Sequence, residues 1–149
     1  MVKFGELELR IDESPAADVV EKIEESLLTA LGQRSAASGY GSLGVIARKP
    51  GGEVVGGLIG SISYGWLLVK MLWVSEKFRG RGLGRVLMQM AEQEGLRRCC
   101  HAAWLDTSST RARDFYLRLG YQVFGKLENA PGEQPERHGR WFMSKRLIA

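Results

Sequence analysis

The run Arg79-Gly80-Arg81-Gly82-Leu83-Gly84 alternates glycines with larger residues, and Arg85 follows it directly. Glycine lets a backbone pass close to a ligand and adopt angles that other residues avoid. An apolar stretch, Leu67 to Val74, precedes the run, and a helical pattern, Leu83 to Arg98, follows it. A helix that starts on such a loop aims unpaired N–H groups at whatever lies in front of it. Added arginine charge turns the loop into a socket for an anion, above all a phosphate or pyrophosphate. The alternative is a basic surface turn that binds nothing; the strand before it and the helix after it weigh against that. A second candidate, Cys99-Cys100-His101, contains the only cysteines. A vicinal disulfide is strained, so two reduced thiols are expected. The other histidine, His138, is remote in sequence, so no metal site is expected.

The elements that must position the socket are read from periodicity. Phe4 to Ile11 alternates apolar and charged residues and predicts a half-buried strand. Asp12-Glu13-Ser14-Pro15 predicts a helix start, with Ser14 as cap and Pro15 in the first turn. Ala16, Val19, Val20, Ile23, Leu27, Ala30 and Leu31 share one face of that helix, and Gly32 can stop it. Gln33 to Gly41 is small and polar and predicts a loop. Ser42 to Arg48 and Val54 to Tyr64 predict a hairpin about Pro50-Gly51-Gly52-Glu53. Trp66 to Val74 is apolar almost throughout, as for a central strand covered on both faces. The helix after the loop turns Leu83, Val86, Leu87, Met90 and Ala91 inward by its spacing. Ala102 to Asp106 is a short strand, so the strand–helix–strand unit implies parallel neighbours. Thr107-Ser108-Ser109-Thr110 offers hydroxyl caps for a last helix with Ala112, Phe115, Tyr116 and Leu119 inside and Gly120 at its end. Tyr121 to Leu127 and Arg140 to Ile148 predict strands around a polar loop, Glu128 to Gly139. The result is a mixed α/β (α+β) sheet with helices on both faces.

At 149 residues the chain is long enough for one cored domain, expected to span residues 1–149. The formal charge of +4 suits an acidic small ligand as well as nucleic acid. No apolar run has spanning length and the first residues carry no apolar signal region, so no membrane partner and a cytoplasmic location are expected.

Arg79, Gly82 and Gly84, followed by Ala112, Tyr116, Gly120 and Tyr121, resemble the GCN5-related N-acetyltransferase (GNAT) superfamily. The first set matches its pyrophosphate loop, Gln/Arg-x-x-Gly-x-Gly/Ala; the second matches its last-helix pattern of a small residue, a Tyr and Gly-Phe/Tyr. The likeness is good from Val54 to Leu147 and holds in outline before that. It implies a largely antiparallel sheet of about seven strands in which a parallel central pair splays apart. It implies acetyl-CoA as cosubstrate, with no metal. The pantetheine arm would pair with Leu72, Trp73 and Val74, and the pyrophosphate would lie on Arg79, Gly80, Arg81, Gly82, Leu83, Gly84 and Arg85. Where the family often has an Asn that bonds the pantetheine, this chain has Ser109, whose hydroxyl makes one bond rather than a paired set.

Acetyl transfer to an amine needs a neutral amine, a polarised carbonyl and a stabilised departing thiolate. By the resemblance, Tyr116 would stand near the sulfur as the acid, whereas its helical stripe alone favours core packing. Many members carry a carboxylate on the central strand; here Trp66 to Val74 has none. Glu76 and Asp106 are the nearest carboxylates in sequence, and a water-connected base or unaided loss of the proton stays open. The expected acceptor is a small-molecule primary amine. A protein lysine, a protein N-terminus, and a non-catalytic module that only binds acyl-CoA are the alternatives. The resemblance also leaves open a homodimer through a sheet edge or the last strand, where Trp141 and Phe142 lie. A dinucleotide-binding fold is disfavoured because its Gly-x-Gly-x-x-Gly spacing is absent. A nucleic-acid partner is disfavoured because Glu92 and Glu94 interrupt the positive charge.

Overall fold

The computed structural model describes residues 1–32 and 40–148. Most of the loop expected from Gln33 to Gly41 therefore lies outside the described residues. The chain forms two compact units, Met1–Arg34 and Ser35–Ala149.

In the first unit, β1 (Val2–Phe4) and β2 (Leu7–Leu9) pair antiparallel, with Val2 opposite Leu9 and Phe4 opposite Leu7. The single strand expected from Phe4 to Ile11 is thus a hairpin, because the chain reverses at Gly5-Glu6 and spreads its alternation over two short strands. Helix α1 (Ala17–Leu31) begins later than Ser14 would place it. Asp12 Oδ1 accepts the Ser14 N–H at 2.9 Å, and the N-cap, Ala16, is extended. That local turn takes up the capping residues before the helix starts.

The second unit is built on β3 (Gly41–Arg48), β4 (Val54–Ser63), β5 (Trp66–Val74), β6 (Ala102–Thr107), β7 (Gln122–Glu128) and β8 (Gly139–Arg146). Their order in the sheet is β3-β4-β5-β6-β8-β7. Of the described pairings only β5–β6 is parallel; the rest are antiparallel. The sheet therefore holds six of the about seven strands expected, the N-terminal stretch forming its own small sheet. Helix α2 (Leu83–Arg97) is the crossover between the parallel strands, and α3 (Thr110–Arg118) follows β6.

Leu58, Ile62, Leu67, Met88, Leu105 and Met143 lose essentially all solvent contact and form the centre of the core. Each such side chain contributes about 1.5–3 kcal/mol relative to exposure. Helix α2 is rotated from the face its spacing predicts. Leu87, Met88, Ala91 and Gly95 are buried, while Val86 and Met90 stand half in solvent. Glycine decides this: a Cβ at Gly95 would lie 3.5 Å from Leu67 Cδ2, and one at Gly84 would lie 3.4 Å from Phe115 Cζ. The face bearing small residues approaches the sheet and α3 most closely, and it displaces a more apolar face. At the other end of α2, Arg97 and Arg98 both donate to Glu94, holding its carboxyl at about 2, well below the usual carboxylate range.

Candidate active site

The parallel pair comes apart partway along. β5 pairs with β6 from Trp66 opposite Ala102 to Val69 opposite Leu105, and there the pairing ends. β6 continues to Thr107 against β8. The next residue of β5, Lys70, has no counterpart on β4, because Ile59 opposes Met71 and Gly60 opposes Val69. An extra residue of this kind bends its strand and raises the local twist. Gly60 makes room for the bend: a Cβ there would lie 2.6 Å from the Leu68 carbonyl oxygen. From Met71 to Val74, β5 has β4 as its only ladder partner among the described residues. This also corrects the expectation of a strand covered on both faces. Leu67 and Val69 are buried, but Met71 is 61% and Trp73 50% exposed.

The glycine loop leaves the open end of β5. The Ser75 N–H bonds the Val55 carbonyl at 2.8 Å, one 3-10 turn spans Glu76–Phe78, and Arg79 turns back to donate Nε–H to the Val74 carbonyl at 2.9 Å. Gly82, the N-cap of α2, has φ 83° in the left-handed region, and Gly80 has φ 75°. A Cβ at either would meet nothing within 4 Å. Glycine is demanded here by backbone conformation, which costs an ordinary residue about 1–2 kcal/mol, and the space before the loop is open. Leu83 and Gly84 carry the loop into the helix, and Gly84 packs near Val74 and Phe115. Arg85 is exposed, as is Arg81, whose guanidinium lies 5.3 Å from the Phe78 ring centroid. Lys49 reaches the same ring at 5.9 Å from the β3–β4 turn. Its place beside the loop was invisible in the sequence, because only the folded sheet brings residue 49 to residue 78.

Tyr116 lies on α3 with 8% exposure, in the same core cluster as Val69 and Leu105. Leu72 and Val74 pack against that cluster. The Tyr116 ring meets Phe115 edge-on at 5.2 Å and Tyr121 at 5.9 Å. Its hydroxyl has no hydrogen-bond partner among the described residues, and burial pushes the phenol above the usual value of 10.0. The motif around it is a helix stop. Gly120 has φ 95°, its N–H bonds the Leu117 carbonyl at 3.0 Å, and the Tyr121 N–H bonds the Tyr116 carbonyl at 3.0 Å. These are the two bonds of a Schellman cap, which brings the residue after the glycine against the one five positions earlier. The Tyr-x-x-x-Gly-Tyr spacing is therefore what places the two rings in contact.

The remaining candidates are more dispersed. Ser109 caps α3, its Oγ accepting the Ala112 N–H at 3.1 Å. Asp106 pairs with Arg140 at 3.4 Å, and Glu76 is exposed in its 3-10 turn. Elsewhere on α3, Arg113 lies 4.8 Å from the Trp141 ring centroid and Arg111 is exposed. The structure thus brings together the open half of β5, the glycine loop and the Tyr116 stretch of α3. It leaves both carboxylates outside that contact set. No group of three or more metal-ligating side chains occurs among the described residues.

Comparison with known proteins finds relatives among acetyltransferases. The family model described as Acetyltransferase (GNAT) family matches residues 8–121. An acetyltransferase of Agrobacterium fabrum is 39% identical over 85 residues, covering 57% of this chain and 62% of that protein. Blasticidin-S acetyltransferase of Streptomyces morookaense is 36% identical over 81 residues, covering 54% and 60%. The matched segments therefore span less than two thirds of these curated relatives. A crystal structure from Agrobacterium tumefaciens superposes with a TM-score of 0.79 at 28% identity, over 94% of this chain and 99% of that one.

Proposed function

The chain belongs to the acetyltransferase (GNAT) family, and from that premise we propose that it moves an acetyl group from acetyl-CoA to the primary amine of a small molecule. The observation that carries this reading is the opening of β5 from β6 after Val69, directly beside the glycine loop. A thin arm with amide groups and a diphosphate at one end matches both parts. The unpaired side of β5 offers ladder positions at Leu72, Trp73 and Val74. Gly80 and Gly82 hold the loop in a conformation that leaves its amides open, with the start of α2 adding partial positive charge.

When bound, acetyl-CoA supplies the thioester that the amine attacks. The loop from Arg79 to Arg85 would hold the diphosphate, with charge from Arg81, Arg85 and Lys49, the last of which also pairs with Glu53. A backbone N–H of opened β5 near Val74 would supply the hydrogen bond that polarises the carbonyl of a bound thioester. Ser109 keeps its O–H free to donate to the arm, since its Oγ serves the helix only as an acceptor. Tyr116 gives its proton to the departing sulfur, and its burial keeps that proton in place until then. The described carboxylates nearest in sequence are a loop charge, Glu76, and a residue ion-paired to Arg140, Asp106. Neither is required as a base if the amine sheds its proton to solvent. A small-molecule acceptor is favoured by the similarity to blasticidin-S acetyltransferase, whose name specifies such a substrate.

Calorimetry with acetyl-CoA tests the donor site. Wild-type protein is expected to bind at low micromolar concentration, about −8 kcal/mol, and Gly82→Trp to lose binding. Thiol release in the presence of primary amines, blasticidin S among them, then tests transfer. Absence of wild-type binding at high micromolar acetyl-CoA would end this reading.

A further inference from the structure

Tyr116 has no hydrogen bond of its own to hold its hydroxyl in place among the described residues, yet its neighbour Tyr121 is tightly anchored. Tyr121 is 1% exposed. Its hydroxyl donates to Glu92 Oε1 on α2 at 3.0 Å. Glu92 in turn accepts from Lys145 Nζ on β8 at 2.9 and 3.2 Å, with only 12% of its own side chain exposed. Lys145 also lies over the Tyr121 ring, 5.7 Å from its centroid. The three side chains neutralise one another's polar groups in a partly buried site, the condition under which such a network becomes rigid. Burial and the nearby Glu92 charge push the Tyr121 phenol far above its ordinary value, so it remains a donor. The Schellman cap then transmits this anchoring: it bonds Tyr121 N–H to the Tyr116 carbonyl and sets the rings edge to face at 5.9 Å.

We propose that Glu92 and Tyr121 are positioning residues for transfer: the Glu92 carboxylate fixes the Tyr121 phenol, and the Tyr121 ring fixes the attitude of Tyr116. This rests on Tyr116 being the acid. An acid that must meet a sulfur atom is sensitive to small displacements, and a misplacement on the order of 1 Å can cost about 100-fold in rate. The hydrogen bonds of the network join Glu92, Tyr121 and Lys145, none of them in the glycine loop or β5, so donor affinity is expected to be largely independent of it.

The test is a double-mutant cycle on thiol release from acetyl-CoA. The acceptor is the fastest amine of the panel, or water where no amine turns over. Tyr121→Phe keeps the ring and loses the anchor; it is expected to lower kcat about ten-fold with KM for acetyl-CoA unchanged. On a Tyr116→Phe background the same change is expected to have no effect. Glu92→Gln, which preserves an acceptor for the phenol, is expected to retain most of kcat, and Glu92→Leu to fall with Tyr121→Phe. A loss in Tyr121→Phe that persists in full on the Tyr116→Phe background overturns the positioning role, as does a loss confined to KM or no loss at all. In those cases a slow Tyr116→Phe enzyme leaves the acid role standing. A Tyr116→Phe enzyme with wild-type kcat overturns the acid role and the positioning role with it.

Discussion

A tyrosine that protonates a thiolate must keep its own proton until the moment of transfer. Burial serves Tyr116 in that respect, since it raises the phenol above 10.0. In the proposed acid role the active form is the protonated one, so a raised value moves the alkaline loss of activity upward. The expected outcome is a kcat that does not decline until pH exceeds the free tyrosine value of 10.0. In Tyr116→Phe, kcat is expected to fall about 100-fold and to show no alkaline decline of this origin; a pH series of initial rates measures both. Tyr116 could be singled out from sequence because its motif is local, with glycine four residues on and its partner ring five. Glu92 and Lys145 could not, since they lie 29 and 53 residues from the groups they hold. Nothing in the pattern of one segment reports a hydrogen bond to another.

Among the elements, β5 shows most clearly what a pattern can and cannot convey. Its apolar run identifies a central strand, and the helix after it identifies a parallel neighbour, both as found. The run does not reveal where pairing stops, because the bulge at Lys70 is a relation between β5 and β4. The nearest sequence signal is Gly60, within a strand otherwise rich in apolar residues, where glycine often marks a close backbone approach. Gly60→Ala puts a methyl group 2.6 Å from the backbone oxygen of Leu68. It is expected to destabilise the fold by about 1–3 kcal/mol, and chemical denaturation provides the measurement. An unchanged midpoint would mean that the bulge can relax without cost. Helix α2 teaches a related lesson. Hydrophobic spacing placed Val86 and Met90 inside, but Gly84 and Gly95 permit the closest approach and so determine the buried face.

For the molecule as a whole, the open seam predicts an uneven distribution of protection. Backbone amides of β4, β8 and the first half of β5 lie in ladders with partners on both sides. Among the described residues, the second half of β5 has a ladder partner on one side only. Hydrogen exchange is expected to be slow in the first set and faster from Lys70 to Val74, and acetyl-CoA is expected to slow the latter selectively. Uniform exchange along β5, unaffected by acetyl-CoA, would contradict the seam as the donor site.

The Schellman cap that ends α3 also bears on the order in which the site assembles. Tyr116, Gly120 and Tyr121 lie within one short segment, so their contact closes almost no loop, whereas pairing Trp66 with Ala102 must first gather the whole intervening crossover. Local contacts form early and distant pairings late, because closing a longer loop costs more chain entropy. The contact between the two aromatic rings is thus expected to form before β5 and β6 pair.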